Sequence, residues 1–157
     1  MKLDFGKMLK VATIPIVILI VVSLIQTFIG VVATVFPPIA FALCAVAPLA
    51  TLIGIVVPAW AGFKAVKEAQ MDIVGGALTG ALTVFIAAVI GGVVSLIANV
   101  ANIGVNLAGS NSMGSAAIGV GVNAVAGVIG LVIGVVIGTI IGFVLGAIGA
   151  FIAKNMK

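Results

Sequence analysis

Residues able to do chemistry are scarce in this chain, and their positions restrict what they can do. The acids are Asp4, Glu68 and Asp72, the only cysteine is Cys44, and histidine, arginine and tyrosine are absent. Glu68 and Asp72 stand four apart, which on a helix brings two carboxylates to one side, a spacing that with water suits a divalent cation. Lys64 and Lys67 lie beside them in sequence, so the four read as solvated charges in a short turn, where ion pairs contribute little. Without histidine no side chain is poised as a base near neutral pH, and neither a Cys/His pair nor a carboxylate pair in a cleft is available. A lone Cys44 makes no intrachain disulfide and reads as a small hydrophobe in an apolar run. The stretch Phe41-Ala42-Leu43-Cys44 departs from a lipoprotein cleavage site at Leu43, where a small residue is needed. Gly75-Gly76 follows no strand and so makes no phosphate-cradling loop. The expectation is a protein that is not an enzyme, with no catalytic residue, no cofactor and no metal ligand.

Polar residues inside apolar runs are the remaining chemistry. Thr79, Thr83, Ser95 and Thr139 can return their hydroxyl bonds to a carbonyl one turn back, which makes them compatible with packing. Gln26 has an amide that needs a partner on another helix, worth about 0.6–2 kcal/mol. The alternative is a hydrated track lined by Gln26, Thr51 and Thr83.

The elements that must position these residues follow from composition. The chain has 157 residues, 64% of them hydrophobic and 6% charged. A soluble domain is about a quarter charged, so this chain lacks the polar surface to dissolve. Four uncharged runs are expected as transmembrane helices, at about 11–35, 39–63, 73–98 and 121–153, in a single membrane domain over 1–157. Pro37-Pro38 forces the first reversal, and Pro48 and Pro58 are expected to kink the second span. The charged segment 64–72 makes the second turn, and the polar stretch of about 99–120 reads as an exposed non-cytoplasmic loop with room for a short surface helix. With four spans, all seven lysines fall on one side, and the positive-inside tendency then places both termini in the cytoplasm. The lysines are too few and too scattered to track nucleic acid.

The last span carries one small residue every four: Ala126, Gly130, Gly134, Gly138, Gly142, Gly146 and Ala150. Glycine costs about 1 kcal/mol relative to alanine in a helix in water, whereas in lipid it lets another helix approach closely. Each four-residue step drifts about 40° around the axis, so the row turns through about 240° and no single straight partner can cover it. The third span offers matching rows, Gly76, Gly80, Ala88 and Gly92 beside Gly75, Thr79, Thr83, Ala87, Gly91 and Ser95. Helix-packing positions are therefore expected at Gly76, Gly80, Gly92, Gly130, Gly134, Gly138, Gly142 and Gly146.

In size and texture the chain resembles the rotor proteolipids of rotary ATPases, which implies a carboxylate at mid-membrane in the last span. Gly138, Thr139 and Ile140 stand there instead, and without an ionisable group an ion relay is excluded. Trp60-Ala61-Gly62-Phe63, then Gly75 through Leu82, then the glycine-rich last span resemble the uncharacterised glycine-rich four-span membrane proteins frequent in archaea. That resemblance implies no activity, and the charged 64–72 turn and the Asn/Ser stretch depart from it. The function expected is that of a small integral protein of the cell (cytoplasmic) membrane. It is an all-α compact bundle with a structural or accessory role, its partners the lipid bilayer and either a second copy or other membrane helices. The alternative is an oligomeric pore, a holin-like protein or a small-solute carrier.

Overall fold

The computed structural model describes residues 5–36, 38, 40–109 and 113–156, with side-chain surroundings at these positions except 34–35, 40, 42–44, 99–109 and 113–125. Among them the chain is four helices: α1 (Phe5–Val35), α2 (Ala40–Lys67), α3 (Ile73–Gly109) and α4 (Met113–Asn155). All four contain stretches long and apolar enough to cross a membrane. α1 stops where Pro37 bars helix from the residue before it, and the Phe36 amide closes its end on the Val32 carbonyl at 2.9 Å. α2 is unbroken in secondary structure through Pro48 and Pro58. It ends at Lys67, and beyond it a left-handed Gln70 (φ 54°) turns the chain so that the Met71 amide donates to the Ala65 carbonyl at 3.1 Å. Asp72 then starts α3, its carbonyl accepting from the Gly76 amide at 3.0 Å.

Two expectations about boundaries need correction. The lysines at 64 and 67 are not in a loop, because α2 carries them on its last turn. The stretch 99–120, expected as a loop, is helical to Gly109 and again from Met113, and its centre at 110–112 lies outside the described residues. Asparagine and glycine are poor helix formers in isolation, but once a span has nucleated, extension adds a hydrogen bond for each residue fixed. Neither proline nor charge stands between 99 and 120 to stop it.

α3 is the hub. It touches α1, α2 and α4, α2 also touches α1 and α4, and α1 and α4 do not meet among the described residues. Among the α3 positions whose surroundings are described, 73–98, every buried residue is Gly, Ala or Thr: 75, 76, 77, 79, 80, 81, 83, 87 and 91. Small side chains bring helix axes close, which gains dispersion contacts in a solvent where apolar association has no other driving force. The large aliphatics stand outside. On α4 they run from Val128 through Ile133, Ile137 and Ile141 to Phe151, all exposed. That belt spans about 35 Å at 1.5 Å per residue, enough to cover a hydrocarbon core of about 30 Å. With Met8, Ile16 and Val57 as its large buried aliphatics among the described residues, and most of its isoleucines, leucines and valines exposed, the bundle is dressed for lipid.

The described lysines share one end. Lys7 and Lys10 of α1 line the same cavity as Lys64 of α2. Near the end of α4, Gly149 abuts Ala59 and Ala150 abuts Gly76, which brings Lys154, one turn further, to that end as well.

Candidate functional site

Two places in the bundle concentrate unusual surroundings, a glycine crossing in the interior and a cavity at the lysine end. The crossing joins three helices by bare backbone. A Cβ built on Gly146 would lie 2.8 Å from the Gly76 carbonyl oxygen and 2.9 Å from the Gly80 Cα. On Gly142 it would lie 2.9 Å from the Gly80 oxygen and 2.6 Å from Val84 Cγ2, and on Gly76 it would lie 2.9 Å from the Gly62 oxygen. Gly62 in turn has no room beside the Gly146 carbonyl, nor Gly149 beside that of Ala59.

Of the eight glycines expected to pack, Gly76, Gly80, Gly92, Gly138, Gly142 and Gly146 meet a neighbouring helix. Gly92 faces Leu131 at 2.7 Å and Gly138 faces Val84 at 3.3 Å, both measured from an added Cβ. Gly130 and Gly134 do not pack: both are exposed, with nothing within 4 Å of an added Cβ. The cause is the drift of a strict four-residue row, about 80° from Gly142 back to Gly134 and about 120° back to Gly130. α4 meets α3 along a different row, Gly127, Leu131, Val135, Gly138, Gly142 and Gly146, in which one three-residue step restores the azimuth. At the far end, steps of three and four through Gly149 and Ala153 again hold the buried face. Sequence reasoning missed Gly62, Gly127 and Gly149. The first two belong to no long glycine row, and Gly149 breaks the four-residue one.

Hydroxyls inside the bundle are satisfied locally. Thr79 and Thr83 are 0% exposed, and they donate to the Gly75 and Thr79 carbonyls, each at 2.8 Å. Part-buried Thr139 donates to the Val135 carbonyl at 2.6 Å. Among the described residues no buried side-chain nitrogen or oxygen lacks a partner. The three residues of the hydrated-track alternative are not alike in setting: Thr83 is sealed, Thr51 is exposed and donates to the Ala47 carbonyl, and Gln26 is half-buried on α1. Glu68 and Asp72 are both exposed, and no group of three His, Cys, Asp or Glu gathers among the described residues.

The cavity at the lysine end measures about 550 Å³ and lies between the start of α1 and the end of α2. Lys7, Lys10, Lys64 and Glu68 supply its charge, Val11 and Ile14 its apolar wall, and Ala69 and Gln70 its rim. Lys64 Nζ lies 3.4 Å from Glu68 Oε2 and 5.1 Å from the centre of the Trp60 ring, so an aromatic face and a carboxylate together fix its ammonium. Lys67 lies similarly over Phe63 at 5.2 Å. Aromatic rings beside lysines at one end of apolar helices suit a headgroup boundary. No protein-family model, curated protein or solved structure matches this chain.

Proposed function

We propose that this chain is a small integral protein of the cell membrane with a structural or accessory role. In this reading its helices hold together by glycine-mediated contact, its lysine end faces the cytoplasm, and it carries no catalytic chemistry. The observation that supports it best is the buried face of α3, which among the described residues is Gly, Ala and Thr alone, with its hydroxyls turned back on their own helix. An interior of that kind is dry and offers a solute nothing to bind. An oligomeric pore or solute carrier would have to build its track between copies, since Thr79 and Thr83 are sealed within one chain. The test is flux: vesicles holding the purified protein are expected to retain potassium and a trapped anionic dye as well as empty vesicles do. Protein-dependent release of either would favour the pore reading.

A further inference from the structure

The cavity at the lysine end has two chemically different halves, and together they describe a ligand. Among the described residues that line it, its charged half holds three ammonium groups against one carboxylate, a net positive setting at the edge of the apolar belt. Its apolar half is Val11 and Ile14, and Ile14 begins a path. Lys7, Lys10, Ile14, Val17, Val21, Leu24 and Phe28 follow one another at alternating steps of three and four, all exposed along one side of α1. Two lysines thus head a column of five lipid-facing apolar side chains. A free anion would use the first half only, whereas an amphiphile uses both. A volume of about 550 Å³ falls in the range of small-ligand sites, ample for a phosphodiester headgroup.

We infer that this cavity binds one anionic phospholipid, its phosphate held by Lys7, Lys10 and Lys64 and its acyl chains laid along Ile14, Val17 and Val21. The inference rests on the membrane-spanning reading above. Basic pockets between membrane helices on the cytoplasmic side hold such headgroups, with about fivefold in affinity per lysine.

The test is native mass spectrometry of the full chain in detergent, with phosphatidylglycerol or phosphatidylcholine of identical chains added. One phosphatidylglycerol per chain is expected to stay bound, in about 25-fold preference over phosphatidylcholine, since Glu68 offsets one of the three lysines. Lys7→Gln/Lys10→Gln/Lys64→Gln together should remove the preference, while Lys154→Gln, at the same end but outside the cavity, should keep it. Should the triple variant lose its helical circular dichroism, Lys10→Gln alone, at an exposed position, is expected to lower retention about fivefold. Equal retention of the two lipids, an equal loss in Lys154→Gln, or displacement of the lipid by excess inorganic phosphate would overturn the inference. Extraction with alkaline carbonate separates the two levels of the argument. A chain that stays in the membrane but shows no preference loses only the lipid site, whereas a chain released by carbonate loses the spanning reading as well.

Discussion

Thr79 and Thr83 show how this sequence places polar atoms in a lipid-facing fold without giving them work to do. Each hydroxyl donates to a carbonyl four residues back that is already part of the helix ladder, so its removal leaves no orphaned partner. Thr79→Val and Thr83→Val, separately or together, are expected to cost under about 1 kcal/mol each in thermal unfolding in detergent. A larger loss would mean that the hydroxyls hold helices together. That role was legible beforehand, because threonine in a small-residue row needs only its own helix to satisfy it. The lysine cavity was not legible, because Lys10 and Lys64 come together only when α1 and α2 pack. Gly62 was equally hidden, since its significance depends on Gly146 lying against it, and nothing in the local spacing of α2 says so.

At the scale of elements, the reversal between α2 and α3 carries the one non-glycine residue with a left-handed backbone among the described residues. Gln70 sits at φ 54°, where a side chain costs about 1–2 kcal/mol and glycine costs nothing in sterics. Gln70→Gly is therefore expected to stabilise the hairpin by about 0.5–1 kcal/mol, after the extra chain entropy of glycine is subtracted. A lower unfolding midpoint in that variant would show that the Gln70 side chain, at the rim of the cavity, does more than turn the chain. The existence of all four helices could be read from uncharged runs, and the first reversal from Pro37-Pro38. The ends of α3 and α4 could not, because low propensity in the 99–120 stretch argued for a loop while propagation from two long spans argued for helix. Propagation prevailed. The drift of the four-residue glycine row was legible, but which of its members it carries away from α3 was not: Gly130 and Gly134 turn out of the contact.

Over the whole molecule, α3 is a shared wall of small residues, the other three helices close on it, and aliphatic side chains cover the outside. Such a bundle in a bilayer should present its lysines on one side only. Single cysteines placed at Lys67 and Lys154 in a Cys44→Ala background are expected to react with an impermeant maleimide from the same face of sealed vesicles; labelling from opposite faces would break the four-span topology. The contact that holds the wall together is tested most directly by paired unfolding measurements in detergent on two glycines of α4 twelve residues apart. Gly146→Leu, where even a Cβ meets the backbone of Gly76 and Gly80, is expected to lose about 3 kcal/mol. Gly134→Leu, with open space around it, should stay within about 0.5 kcal/mol of the parent. A Gly146→Leu variant as stable as the parent, or equal losses at both positions, would contradict the packing on which the account stands.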